Sequence, residues 1–188
     1  MPMKRIIDIL FCLVSILIFS LPMILIAMLI KTSSNGPTLY WSKRIGLKNH
    51  LFLMPKFRTM LINTPAVATH LLNLDSPRIT KVGAFLRKYS LDELPQLFSI
   101  LKGDMSLVGP RPALFNQEDL ISLRTKKGIH NLVPGVTGWA QINGRDEISI
   151  LEKVILDEEY LDNKSLWLDI KIIWYSIVKV LSGEGVSH

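Results

Sequence analysis

The feature that most constrains this chain is an apolar run from Ile6 to Ile30, interrupted only by Asp8, Ser15, Ser20 and Pro22. As continuous helix it would extend about 37 Å, enough to cross a hydrocarbon core of roughly 30 Å. A secretory signal would show a shorter apolar stretch and a small-residue cleavage site, whereas here the run continues into Leu29-Ile30-Lys31. Three arrangements remain: a buried core helix, a full crossing, or a hairpin that enters and leaves a membrane on one side. Basic residues flank both ends, Lys4-Arg5 before the run and Lys31 with Lys43-Arg44 after it. The positive-inside tendency then puts both flanks in the cytoplasm. Pro22 removes a backbone donor in mid-run, so a kink is expected near Ser20, whose hydroxyl can bond a freed carbonyl. Both features favour the hairpin, with a tilted, proline-kinked crossing as the alternative.

The charge distribution points to the same surroundings. The chain has 188 residues and a net charge of +6. No acidic residue lies between Asp8 and Asp75, while Lys31, Lys43, Arg44, Lys48, Lys56 and Arg58 all do; acids then gather between Asp146 and Asp162. A basic face of this kind suits anionic lipid or phosphate groups. With an apolar segment beside it, lipid is the better partner and nucleic acid is not expected. The single cysteine, Cys12, cannot form an intramolecular disulfide and reads as a small apolar filler. His50, His70, His130 and His188 lack metal-ligand spacing, and there is no Walker loop, dinucleotide fingerprint or Ser-His-Asp order.

After the anchor, Asn35-Gly36-Pro37 is a turn signal. Thr38 to Trp41 and Leu51 to Leu53 read as strands of a small hairpin. Thr59 to Pro77 carries few periodic signals and reads as a variable connection. Helices are expected from Lys81 to Lys88, from Ser90, from Gln117 to Lys126 and from Ser149 to Leu161. Two turn-rich stretches, Gly103–Pro112 and Pro134–Gly144, read as ordered loops. Leu166 to Leu181 is apolar nearly all round and carries Trp167, Trp174 and Tyr175, which suits either the membrane interface or the core. The expected fold is α+β and mostly helical, with a membrane anchor over residues 1–32 and a second domain over residues 33–188.

Ser90-Leu91-Asp92-Glu93-Leu94-Pro95-Gln96 is the most informative stretch. It reads equally as a capping box, with Ser90 as N-cap and Glu93 reaching back, and as a reactive site. A helix N-terminus offers amide donors to phosphate, and an ionised aspartate there can attack phosphorus. The surrounding cations favour chemistry: Arg87 precedes the acids, Arg111 stands between prolines in Gly109-Pro110-Arg111-Pro112, and Lys56 and Arg58 alternate along one strand. In Pro134–Arg145 the glycines permit tight turns or close approach to a ligand, and Gln141, Asn143 and Arg145 are candidate contacts for a nucleotide sugar.

Taken together, these motifs resemble the bacterial sugar transferase family, the small monotopic polyprenyl-phosphate phosphoglycosyl transferases. The matching segments are Lys4–Asp8, Lys56–Arg58, Ser90–Gln96, Leu101–Pro112 and Gly138–Arg145. The resemblance implies a broken re-entrant helix, interfacial amphipathic helices and a catalytic core on the cytoplasmic face of the bacterial inner membrane. It implies a ping-pong reaction on a UDP-sugar with Mg²⁺ and polyprenyl (undecaprenyl) phosphate as acceptor, the first membrane step of a surface polysaccharide or glycoconjugate. Asp92 would be the nucleophile, and Glu93 would serve a metal or proton-handling role. The metal would sit at the Asp92-Glu93 pair, and Arg87 and Arg111, with Lys56 and Arg58, would bind phosphate. Two positions depart from the family pattern: Val133 precedes Pro134 where some members carry arginine, and Leu21 separates Ser20 from Pro22. A membrane-anchored nucleotide-sugar or lipid-binding protein without turnover, and a hydrolase of nucleotide diphosphosugars, are the competing readings.

Overall fold

Asp8, the acidic interruption of the apolar run, shows how the first helix is attached. In the computed structural model, which describes residues 2–62, 64, 78–144 and 148–182, helix α1 runs from Pro2 to Ser33 with Pro22 inside it. The Asp8 carboxylate is buried and accepts from the Ser106 hydroxyl at 2.8 Å and the Leu107 amide at 3.3 Å. Lys4 donates to the Val108 carbonyl, Tyr160 and Asp169, and Arg5 donates to the Ile100 and Leu101 carbonyls. Cys12 is buried against the Leu97 carbonyl. At the other end, Ile26 and Ile30 pack with Phe57 and Leu86. Both ends of α1 are therefore held by one globular body. The face turned away stays bare: Leu17 is 77% exposed and Leu21, Ile24 and Met28 lie on the same side of the burial pattern. The expected break near Ser20 is not an interruption of helical structure. Pro22 removes one intrahelical donor, turns on either side continue, and Ser20 donates to the Leu17 carbonyl.

The chain then forms the hairpin β1 (Leu39–Ile45) and β2 (Leu51–Phe57), antiparallel in unbroken register from Leu39↔Phe57 to Ile45↔Leu51. It is longer at both strands than the apolar residues alone suggest. Ser42 and Met54 face the core, while Trp41 and Leu53 face outward. Helix α2 (Lys81–Lys88) is capped by Thr80, whose side chain accepts from the Gly83 amide. A 3₁₀ turn, Leu91–Glu93, leads into α3 (Gln96–Lys102).

Next come β3 (Ser106–Val108), α4 (Glu118–Lys126), β4 (Gly135–Thr137), α5 (Trp139–Asn143), α6 (Ile150–Asn163) and α7 (Leu166–Ser182). Helix α6 begins with the Ser149–Glu152 capping box. The two stretches read as loops thus each contribute a short strand, and β3 and β4 pair in parallel. Three-residue strands leave no alternation to read, so only long-range pairing defines them. The core lies where α1, α3, the strands and α7 meet, around Cys12, Ile100, Met105, Val108 and Ile172. Helix α7 is two-sided: Ile172 and Asp169 are buried, whereas Trp167, at 77%, and Trp174, at 65%, are exposed.

Replacing Asp8 by alanine leaves the Ser106 hydroxyl and Leu107 amide without their charged acceptor, which costs about 3 kcal/mol. Asp8→Ala is expected to lower the thermal midpoint of the detergent-solubilised protein clearly, while still partitioning into membranes because the run becomes more apolar.

Candidate active site

Ser90 does not cap a helix. Its backbone lies in the left-handed region at φ 53°, and its side chain makes no capping bond. The expected helix from Ser90 is split: a single 3₁₀ turn carries Leu91, Asp92 and Glu93, and α3 starts only after Pro95. Pro95 explains the split. It deletes the amide that would bond back to Leu91 but is well accommodated just before a new helix. A non-glycine residue in the left-handed region costs about 1 kcal/mol, and such strain is often kept where side chains must be aimed. Here it turns both carboxylates toward cations.

The two acids sit in different surroundings. Oε1 of Glu93 accepts from Lys56 Nζ at 2.6 Å and Arg111 Nη2 at 2.8 Å. Burial alone would raise its pKa, but Arg111 and Lys56 outweigh it and hold the carboxyl well below the usual 4.5. Asp92 is 7% exposed, and Lys56 Nζ stands 4.0 Å from its Oδ2. Among the described residues no hydrogen bond reaches its carboxylate. Burial pushes Asp92 above the ordinary 3.8; Lys56 opposes this, Glu93 adds repulsion, and Arg87 and Arg111 pull back. Arg87 donates to the Thr59 hydroxyl at 2.9 Å; burial lowers its pKa while the charges of Asp92 and Glu93 raise it. The site therefore holds one carboxylate locked between cations and one poised beside them.

Arg111 reaches Glu93 because its segment leaves β3 at Gly109, where the chain is packed backbone to backbone. A Cβ on Gly135 would lie 2.1 Å from the Gly109 nitrogen, and one on Gly138 would lie 2.1 Å from the Gly109 carbonyl oxygen. These glycines let two stretches of main chain meet each other, not a ligand. Beside them opens a cleft of about 140 Å³ lined by Ser90, Glu93, Arg111, Thr137, Gln141, Ser176 and Lys179, among others. Gln141 lines it, donating to the Val136 carbonyl, with its Oε1 buried and without a hydrogen-bond partner. Ser176 and Lys179 went unread in the sequence, because an apolar helix gives no sign of which polar interruptions face a cavity.

Two other candidates fall elsewhere, and a third cannot be placed. Arg58, expected to bind phosphate, turns toward another part of the chain: its guanidinium donates to the Ser34 and Asn35 carbonyls, each at 2.8 Å, and to the Ser34 hydroxyl. It satisfies the C-terminus of α1, because β2 ends at Phe57 and the side chain beyond it turns toward that helix end. Asn143 donates to the Trp139 carbonyl in its own helix and is exposed. Arg145 lies outside the described residues. Among the described residues no cluster of three or more His, Cys, Asp or Glu side chains forms.

The model of the family described as bacterial sugar transferase matches residues 1–183. This chain belongs to that family. It is 44% identical over 161 residues to an uncharacterized sugar transferase of Bacillus subtilis, covering 85% of this chain and 77% of that one. It is 42% identical over 185 residues to the UDP-glucose:undecaprenyl-phosphate glucose-1-phosphate transferase of Escherichia coli, covering 94% of this chain and 40% of that one. An undecaprenyl-phosphate galactose phosphotransferase of Salmonella typhimurium is 38% identical over 203 residues, with coverages of 97% and 41%. The chain thus spans about two fifths of the length of these two enteric relatives. The family's shared region contains the whole carboxylate site described above.

Opposite pKa directions give the two acids opposite effects on stability. Glu93 has a depressed folded pKa, so its contribution is complete above about 4.5 and is lost as pH falls through the folded value. Asp92 has a raised folded pKa, so its charged form opposes folding at neutral pH and is relieved as pH falls. Thermal melts at pH 7 are expected to show Glu93→Gln destabilised by about 2 kcal/mol and Asp92→Asn at or above the parent.

Proposed function

We propose that this chain transfers a sugar 1-phosphate from a UDP-sugar to polyprenyl phosphate and releases UMP. The observation that carries the reading is the division of labour at the dyad. Glu93 is bound by Lys56 and Arg111, while Asp92, 4.0 Å from the same lysine, accepts no hydrogen bond from a described residue. A buried, weakly solvated carboxylate held among cations is a suitable nucleophile toward a phosphoryl group.

In this reading an Asp92 oxygen attacks the sugar-bearing phosphorus of the donor. The bond from that phosphorus to the UMP oxygen breaks, and its electron pair leaves with UMP. The sugar phosphate is then held on Asp92 as an acyl phosphate. An oxygen of polyprenyl phosphate attacks the same phosphorus, forming the lipid diphosphosugar and returning Asp92 to its carboxylate. Arg111, Lys56 and Arg87 offset charge on the phosphoryl oxygens in both steps. Magnesium would be held by Asp92 and by the Glu93 oxygen that Lys56 and Arg111 leave free, since Glu93 Oε1 is committed to both cations. When bound, the ion would neutralise diphosphate charge.

We read the chain as monotopic on the cytoplasmic face, with α1 bent at Pro22 so that its bare face dips into the membrane while both ends stay on one side. Attachment of both ends of α1 to one body supports this, as do the bare apolar faces of α1 and α7. The buried Asp92 also supports turnover over simple binding, since a buried carboxylate that accepts no hydrogen bond from a described residue costs stability and binding alone does not require it.

The test is UMP release from a panel of UDP-sugars, with and without undecaprenyl phosphate. With acceptor, turnover and labelled lipid are expected. Without acceptor, a burst of about one UMP per enzyme is expected, followed by arrest. Continuous release without acceptor would establish a hydrolase, and no release under any condition would establish a binding protein. Asp92→Asn is expected to lose the burst while still folding. Since Lys56 lowers the Asp92 pKa, Lys56→Met should move the acid limb of the rate profile to higher pH.

A further inference from the structure

The segment that carries Arg111 is held more tightly than a loop requires. Its four successive carbonyls each accept a hydrogen bond from a different place. The Pro110 carbonyl takes the Gly135 amide at 3.0 Å, and the Ala113 carbonyl takes the Ile45 amide at 3.0 Å. Between them, the Arg111 carbonyl takes Arg124 Nη1 at 2.7 Å, and the Pro112 carbonyl takes Arg44 Nη1 at 3.0 Å. Proline on both sides of Arg111 fixes φ at two of these positions and removes two donors that could pull the chain elsewhere.

Arg124 is the unusual member. It projects from α4 at 7% exposure, and its Nε and Nη2 grip Oδ2 of Asp157 on α6 at 2.9 and 2.6 Å. Asp157 is 1% exposed. Leu120 and Val154, one turn earlier on the same two helices, belong to an apolar cluster. That packing would hold α4 against α6 without a buried ion pair, and apolar replacements of such pairs are often neutral or stabilising. The pair nevertheless has a geometric consequence. A guanidinium clamped on two nitrogens can present its third in one direction only, and that nitrogen meets the main chain of Arg111.

We propose that Arg124, anchored by Asp157, is a positioning residue for the transfer. It fixes the Arg111 backbone so that the Arg111 guanidinium is presented to Glu93 and to the phosphoryl group. The inference rests on the reaction proposed above and acts through Arg111 alone. Neither Arg124 nor Asp157 touches the reacting atoms. Small misplacements of a charge-stabilising group are costly to rate even when substrate still binds.

The experiment compares the parent with Arg124→Met/Asp157→Leu, with Arg124→Lys, with Arg111→Met and with Arg111→Met combined with the apolar pair. Thermal midpoint, steady-state kinetics and UMP affinity by calorimetry are read for each. The apolar pair is expected to melt near the parent yet lose about tenfold to a hundredfold in kcat, with a smaller change in donor KM. In the Arg111→Met background the same pair should cost no further rate. Arg124→Lys, which keeps the charge but lacks the fork, should also lower kcat in a folded protein. Parental kcat in either folded Arg124 variant would overturn the proposal, and so would an undiminished loss in the Arg111→Met background. A parent that binds UMP without turning over would overturn the transferase reading instead. The positioning role would then be read from UMP affinity, which should weaken with Arg124 variants only when Arg111 is present.

Discussion

A single carboxylate oxygen ties three distant parts of the chain together. Oε1 of Glu93 accepts from Lys56 on the second hairpin strand and from Arg111 beyond β3. The strand cannot shift without moving the lysine, and the Pro-Arg-Pro segment cannot shift without moving the arginine. The Asp92-Glu93 turn is thereby fixed at the meeting point of hairpin, parallel strand pair and α3. Breaking one partner of such a buried contact leaves charge uncompensated, which is why the arrangement is rigid as well as charged. Rigidity serves the chemistry: groups already in place need no reorganisation when charge develops on phosphorus.

The environment of Asp92 follows from that lock. Because Glu93 takes the hydrogen bonds of Lys56 and Arg111, its neighbour is left with an ion pair to Lys56 at 4.0 Å and no hydrogen bond from a described residue. Burial raises the Asp92 pKa while three cations restrain the rise. The result is an aspartate raised in pKa by burial, restrained by cations, and not hydrogen-bonded by any described residue. Two adjacent carboxylates of identical chemistry are thus separated in role by which of them reaches the cations.

Much of this was legible in the sequence. Asp92, Glu93, Arg87, Arg111 and Lys56 were named from spacing and residue type, and the structure gathers them around one turn. The hairpin, α2, α4 and α6 follow from periodicity, turn and capping signals, because those signals are local. The Ser90 capping box failed because Pro95 cuts the helix and the Glu93 side chain is claimed by cations far away in sequence. Arg58 does not join the residues around that turn, because strand alternation stops at Phe57, after which the carbonyls of Ser34 and Asn35 capture it. Strands β3 and β4 were invisible because each is three residues long and exists only through its partner. Ser176 and Lys179 could not be assigned, since facing a cleft is a property of how α7 docks.

The covalent role of Asp92 is the central claim, and intact-protein and peptide mass spectrometry tests it most directly. Enzyme mixed with its UDP-sugar, without acceptor lipid, is quenched in acid and digested. The account predicts a mass increase of one sugar phosphate on the peptide containing Asp92, removed when polyprenyl phosphate is added before the quench. An enzyme that turns over fully with acceptor but never carries that mass, on Asp92 or elsewhere, would contradict it.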